Sequence, residues 1–295
     1  MLVPKAALEL RSRLLHATRS FFHERGFTEI ETPVRLRAPA LETHIDAESS
    51  GDYWLRTSPE LHMKRLLASG HEKIFQLGPC FRHGERGDRH NPEYTMLEWY
   101  RANADYTDIL ADAKALIAGL AGESASIVYQ GQRIDLLPRW ERLTAQEAFV
   151  RWAGWDPVAV WDEERFNLDL VEKIEPAMPR DVPFVLTDYP APAAALARRK
   201  PGNPAVAERW EVYIGGLEIA NAYSELIDPV EQRRRFEEAA AQRRALNKKV
   251  YPLDEAFLSA LSQMPPSGGV ALGFDRLVML FADAPTLDGV MAFRE

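Results

Sequence analysis

Between Lys73 and Ala102 the sequence reads KIFQLGPCFRHGERGDRHNPEYTMLEWYRA, two apolar runs joined by a polar segment. Aromatic and β-branched residues at both ends, with Gly, Asn and Pro between them, predict a strand, a long loop and a second strand. Nothing else in the chain restricts its fold as tightly. In YTMLEWYR a period of two places Tyr94, Met96, Glu98 and Tyr100 on one face and Leu97 and Trp99 on the other. Both faces are too apolar for an exposed strand, so Glu98 is buried. An unpaired buried carboxylate is strongly unfavourable. It must pair with an arginine of the loop or await a cation, and periodicity leaves the two readings level. The loop itself collects Arg82, His83, Glu85, Arg86, Asp88, Arg89, His90 and Glu93.

The 295 residues, 46% of them hydrophobic, suffice for one large domain or a domain with an insertion. A formal net charge of −8 argues against a broad basic surface for a nucleic-acid backbone, though not against a local patch. The single cysteine, Cys80, excludes an internal disulfide, and the N-terminal segment lacks the basic-then-apolar pattern of a signal peptide. No apolar run approaches the ~20 residues needed to cross a bilayer. The expectation is a soluble cytoplasmic protein without membrane contact.

Around the central unit, Ala6–Arg25 reads as a helix stopped by Gly26, and FTEIETPV as a strand that ends at Pro33. SPELHMKRLLASG is a short helix with Ser58 as N-cap, Pro59 at its first position and Glu60 in its first turn. ADYTDILADAKALIAGLAG is helical, VYQGQRIDL turns as a hairpin at Gln130-Gly131, and Thr144 with Glu147 forms a capping box. DEERFNLDLVEKIEPAM reads as helix and PFVLTDYP as a buried strand. ALARRKPGNPAVAE is expected to be a mobile surface loop, its basic residues free to meet an acidic partner. PVEQRRRFEEAAAQRRALNKK is a long helix whose charge run is a solvated face.

Two further constellations bear on chemistry. Glu218 and Glu225 flank Asn221 in GLEIANAYSEL, and two acids with an amide are oxygen donors that Mg²⁺ accepts beside a nucleotide phosphate. Their spacing does not put both on one strand face without a bulge or turn near Asn221, and taken alone they read as surface acids. In GGVALGFDRL the glycines let another group approach the backbone, and the helix that follows starts with an anion-attracting end. Arg276 falls in its first turn, where the dipole disfavours a cation. It therefore faces an anion such as phosphate, or pairs with Asp275 or another acid. The chain has no P-loop, dinucleotide fingerprint, zinc spacing or serine or cysteine nucleophile motif.

With these blocks in order, FRxxxxxxRHNPEYTMLEWY resembles motif 2, and GVALGFDRLVML motif 3, of class II aminoacyl-tRNA synthetases of the lysyl type. TEIETPV resembles their proline-ending motif 1, and SPELHMKRLL and GLEIANAYSEL resemble the lysine-type elements between. The resemblance spans almost the whole chain. It implies an α+β catalytic fold, a mostly antiparallel six-stranded sheet flanked by helices, working as a homodimer. A single domain would cover 1–295, with a helical and hairpin insertion around 105–182 and no anticodon-binding domain. Arg82 would hold the α-phosphate of ATP and Arg276 the γ-phosphate. His90 and Asn91 would contact the nucleotide, backbone at His83 and Gly84 would line adenine, and Tyr94 would stack on it. Gly273 would let the nucleotide lie close, while Glu218 and Glu225 would hold Mg²⁺ with Ile219 contributing backbone. Ser58, Pro59, Glu60, Glu98, Tyr100, Asn221 and Glu225 would shape the lysine pocket.

Departures from the lysyl type sharpen this reading. The chain opens directly on the catalytic domain, and GVALG carries Ala271 where lysyl synthetases usually have glycine. Both features are similar to the stand-alone paralogues that attach (R)-β-lysine to a lysine of translation elongation factor P. A methyl at Ala271 would narrow the pocket and favour a substrate whose amino group is shifted by one carbon. Where the family has Arg-Asn-Glu, this chain has Arg82-His83-Gly84, with Glu85 one place later. The implied chemistry is adenylate formation on lysine or β-lysine, then acyl transfer to a protein amine, with tRNA disfavoured as acceptor. An enzyme activating α-lysine and an inactive lysine- or ATP-binding paralogue are the rival readings. Retention of Arg82, Glu218, Glu225 and Arg276 together argues against the latter.

Overall fold

The computed structural model describes residues 3–137, 139–194 and 196–294. Its first helix, α1 (Lys5–Glu24), buries Leu14, Phe21 and Phe22 at helical spacing and is stopped by Gly26 at φ +75°. The strand expected at TEIETPV is reduced to β1 (Thr28–Glu29). The ladder stops there because the Thr32 N–H donates to the Gln76 side chain and Pro33 has no N–H. Three short strands, β2 (Arg35–Leu36), β3 (Ser49–Ser50) and β4 (Tyr53–Leu55), form a small separate sheet ahead of helix α2 (Glu60–Ala68).

The central unit folds as read, with β5 (Lys73–Phe81) antiparallel to β6 (Glu93–Ala102). Helix α3 (Tyr106–Ala121) opens on an Asp105–Asp108 capping box and leads to the hairpin β7 (Ser126–Tyr129) and β8 (Gln132–Asp135). Then come β9 (Glu141–Thr144), α4 (Ala145–Trp152) with the expected Thr144–Glu147 box, α5 (Glu163–Asp169) and α6 (Glu175–Ala177). The chain continues through β10 (Phe184–Pro190), β11 (Arg199–Lys200), β12 (Asn203–Ile214) and β13 (Leu217–Ser224). It closes with α7 (Pro229–Ala245), α8 (Glu255–Leu261), β14 (Ser267–Gly273) and α9 (Phe274–Phe281).

Among the described residues one sheet of nine strands runs β1-β5-β6-β14-β13-β12-β10-β9, with β11 paired to β12. The expected six strands are its middle: from β5 to β10 every neighbour pair is antiparallel. The additions are the short parallel edges β1 and β9 and the β11 hairpin. One face carries α1, α3 and α9 over Leu97, Trp99 and Val270. On the other face α2, α7 and α8 pack around Ile74 and Tyr100. Segment 105–182 shares this architecture, because Ile109, Leu116 and Ile134 enter the first core while α4 and α5 pack on Phe184 and Leu186.

The segment read as a mobile basic loop is a structured hairpin. Arg198 pairs with Glu208 at 2.5 Å and Lys200 with Asp188 at 2.6 Å, so its charges are met within the chain. Its first residue, Ala195, lies outside the described residues.

Candidate active site

A cavity of about 1190 Å³ opens over the middle of the sheet. That exceeds the roughly 300–1000 Å³ of a typical single-ligand pocket, so two substrates fit side by side. Its floor is the shared face of β6, β14 and β13. Strand register sets three rows: Tyr100, Gly269 and Tyr223; Glu98, Ala271 and Asn221; and Met96 with Gly273. Glycine is required at 269, where a Cβ would lie 2.2 Å from Tyr100 Cε1 and 2.4 Å from Glu225 Oε1.

Glu98 is 1% exposed and accepts hydrogen bonds from Ser58 Oγ at 2.7 Å and Tyr100 OH at 2.9 Å. The arginine partner left open by the strand pattern is absent among the described residues, and the partners of Glu98 are these two hydroxyls. Burial first, and then Glu60, push its carboxyl up to about 8. Ser58 also accepts the Glu60 N–H at 2.9 Å, so one hydroxyl starts α2 and orients Glu98. Nearby, the fully buried Lys64 ammonium lies 2.5 Å from Glu60 Oε1 and 2.5 Å from Glu225 Oε2. Glu225 Oε1 and Asn221 Oδ1 have no donor among the described residues. Burial outweighs Lys64 and raises Glu225 to about 7.

The other end of the cavity is lined by the arginines Arg82 and Arg276. Arg82 leans over the Tyr94 ring, 5.3 Å from its centroid, with Glu85 Oε2 3.6 Å away. Tyr94 OH donates to the Thr57 carbonyl at 2.7 Å. Arg276 Nη1 donates to Glu218 O at 2.9 Å and Glu218 Oε2 at 3.1 Å, and Nη2 lies 2.6 Å from His90 Nε2. Burial, then the Arg276 charge, lowers the His90 pKa, which suits a neutral ring accepting from that guanidinium. Asp275 is not the partner of Arg276: it pairs with Arg11 at 2.6 Å and accepts the Thr95 N–H at 2.7 Å.

The bulge that the acid spacing calls for is present. Glu211 pairs with Asn221 but Tyr213 pairs with Glu218, so β13 holds one extra residue and turns Glu218 to the same face as Asn221. Glu225 is not brought to Glu218. It lies past the end of β13 beside Gly269, four residues along β14 from the Gly273 row, or roughly 13 Å. The acid that does stand beside Glu218 is Glu211, which the sequence reading missed. It is 6% exposed and accepts from Tyr189 OH at 2.6 Å and Tyr213 OH at 2.7 Å, with Arg209 on its other oxygen. The one legible signal was the Gly215-Gly216 turn, which sets β12 against β13.

In the loop, Gly84 turns at φ +75° and brings Glu85 to the cavity, while the His83 ring points at Glu48 Oε2, 2.7 Å away. Asn91 is 5% exposed, donates to Glu93 O at 2.7 Å and accepts from Arg294. Ser58, Glu60, Tyr94, Ile219, Ala271 and Gly273 line the cavity; Pro59, His83 and Glu225 do not.

The cavity thus joins a buried carboxylate pocket to an arginine-lined end over a mostly antiparallel sheet. The model of the class II tRNA synthetases specific for D, K and N matches residues 3–295, and the chain belongs to that family. It is similar to lysine–tRNA ligases, with 41% identity over 313 residues to that of Moorella thermoacetica, covering 96% of this chain and 64% of the relative. For Magnetococcus marinus the identity is 36% over 315 residues, covering 96% and 62%. The chain thus spans just under two thirds of the length of these relatives. No helix among the described residues is long and apolar enough to cross a membrane.

Proposed function

We propose that the protein activates (R)-β-lysine with ATP as the adenylate and passes the acyl group to a lysine side chain of translation elongation factor P. The observation that carries this reading is Ala271, whose position on β14 sets it between Glu98 and Asn221 on the pocket floor. A methyl there shortens the space between the cation-binding carboxylate and the anion site. It favours a diamino acid whose second amino group is displaced from the carboxyl carbon.

In the first step a carboxylate oxygen of the amino acid attacks the α-phosphorus, and the bond to pyrophosphate breaks. A carboxylate is already a nucleophile, so the site needs no general base for this step. Its work is to align two anions and meet developing charge. Arg82, at the arginine-lined end of the cavity, would hold the α-phosphate, and Arg276 would hold the γ-phosphate. Glu98, with Ser58 and Tyr100, would hold the distal ammonium. The acceptor amine, in its neutral form, then attacks the acyl carbon and AMP leaves. The homodimer belongs to the same reading, and Leu8 and Val34, each 37% exposed, leave apolar surface near the first strand for it.

Glu211 and Glu218, two carboxylates on one face that pair with Arg209 and Arg276, would hold Mg²⁺. Among the described residues no group of three or more acids, histidines or cysteines is placed to hold a metal, so phosphate oxygens would complete the shell. When bound it would neutralise phosphate charge. Replacing Glu211 or Glu218 by Gln should raise the Mg²⁺ midpoint of pyrophosphate exchange by about tenfold. Glu225→Gln should weaken the amino acid and leave that midpoint in place; an equal shift for Glu225→Gln would restore it as a ligand.

The relatives favour a second reading, α-lysine activation for tRNA. Purified protein is incubated with ATP, each lysine isomer and elongation factor P, and the factor's intact mass is measured. A gain of one lysyl residue with β-lysine is the expected result. Gain only with α-lysine, or pyrophosphate exchange with α-lysine alone, would overturn the choice of substrate.

A further inference from the structure

A diamino acid brings two ammonium groups, and Glu98 accounts for one. We propose that Glu42 receives the other, the amino group nearer the substrate's carboxyl end, and so reads the position of that group on the chain. The inference rests on the diamino-acid reading above.

Four carboxylates around the cavity floor are already engaged by cations: Glu60 by Lys64, Glu85 by Arg82, Glu211 by Arg209 and Glu218 by Arg276. Glu98 has its two hydroxyl donors. At the rim, Glu163 meets His44, Glu238 meets Arg234, and Asp275 meets Arg11. Glu42 also lines the cavity, yet among the described residues its carboxyl has neither a hydrogen-bond donor nor an ion pair. Glu42 is half-buried at the cavity wall, so its carboxyl is open to a ligand entering the cavity.

Its position is held from behind. Arg243, on α7 and fully buried, donates to the carbonyls of Glu42 at 2.7 Å and Ile45 at 2.9 Å and to Asp46 Oδ1 at 2.5 Å. Lys248 adds a bond to Asp46 Oδ2 at 3.0 Å. The 42–46 loop is thereby fixed to α7. One residue in a run read as a solvated helix face is in fact the anchor of the cavity wall.

The charged groups facing the Glu42 side chain are Arg82 and Glu85 from the loop unit, Glu60 from α2 and Arg209 from β12. Arg82 marks the anion site and Glu60 the amino-acid pocket, so Glu42 stands at their junction. The carboxyl carbon of the substrate must lie there to reach the α-phosphorus, and its nearer amino group lies there with it. Burial, the largest effect, holds the Glu42 carboxyl up at about 7 against the pull of Arg82. Cation binding therefore drives off a proton near neutral pH.

The test compares β-lysine, α-lysine and 6-aminohexanoic acid, which keeps the distal amine and lacks the nearer one. Binding is measured by calorimetry in buffers of different ionisation enthalpy. Glu42→Gln should weaken the preferred lysine isomer by about tenfold or more, leave 6-aminohexanoic acid within about twofold, and reduce the protons released by the diamino acid. Equal weakening of all three ligands, or no weakening, overturns the role of Glu42 while leaving the activation chemistry standing. If the unaltered protein binds none of the three, the diamino-acid reading and this inference fall together.

Discussion

Lys64→Met is expected to lower the stability of the folded chain by about 3–5 kcal/mol, the usual cost of removing one member of a buried ionic group. The Lys64 side chain is 0% exposed and meets two carboxylates at once, one from its own helix and one from beyond β13. Burial depresses its pKa, but Glu225 and then Glu60 outweigh burial, and the net direction is upward. Methionine fills the same space and meets neither acid. Glu225, which burial already raises to about 7 with Lys64 in place, then loses its cation and keeps its proton at a pH where the unfolded chain has released it. Between the ordinary carboxylate range and that raised value the folded state binds more protons, so stability falls as pH rises. The deficit should accordingly be larger at pH 9 than at pH 6 in urea denaturation followed by tryptophan fluorescence. Adding Glu60→Gln and Glu225→Gln to Lys64→Met should recover part of it and flatten its pH dependence. A deficit below about 1 kcal/mol, or one independent of pH, would show that the triad is open to water.

This triad also shows what could be read from residue order and what could not. The face of β6 that carries Tyr94, Glu98 and Tyr100 follows from alternation alone, as does the Ser58 start of α2, because each depends on residues close in sequence. The glycine strand feeding Arg276 into the cavity was legible for the same reason. By contrast, the partner of Glu225 depends on how α2 packs against β6, and nothing local to GLEIANAYSEL announces it. The family resemblance implies an acid pair of Glu218 with Glu225, which spacing alone does not bring to one face. The bulge in β13 turns Glu218 to the cavity, whereas Glu225 lies past the end of that strand beside Gly269 and outside the cavity lining, and Glu211 shares the face of Glu218. The Arg82-His83-Gly84 departure resolves similarly, since positive φ at Gly84 carries Glu85 round to Arg82. Basic residues at 198–200 read as free because Glu208 and Asp188, their partners, come from neighbouring strands. Composition and pattern thus reached the elements and the shared face, whereas pairings across elements required the packing.

Glu98→Gln is expected to weaken the lysine-type substrate by about 2–5 kcal/mol, roughly 30-fold to several thousand-fold, because the variant leaves the distal ammonium buried without a counter-charge. The amide is close in shape, so the fold is little disturbed, although the hydroxyl of Ser58 or Tyr100 that meets the amide nitrogen must turn to accept from it. The unaltered protein carries a pH signature that separates electrostatics from shape. Its Glu98 carboxyl is raised to about 8, so at neutral pH a cationic substrate must displace a proton before it binds. Affinity should rise with pH by about tenfold per unit up to that value and then level off. Glu42 and Glu225, each raised to about 7, add to the slope below it. For the free protein the sign is opposite. From the ordinary carboxylate range up to about 8 the folded chain holds a proton that the unfolded chain has lost, so stability declines as pH rises through that window. Substrate binding removes the decline by holding Glu98 ionised, and thermal shifts with substrate should therefore grow with pH. In Glu98→Gln the part of the affinity slope between pH 7 and 8 should vanish while the part below 7 persists. Loss of affinity without that change in slope would place the distal ammonium elsewhere in the cavity and leave Glu98 a role in holding Ser58 and Tyr100.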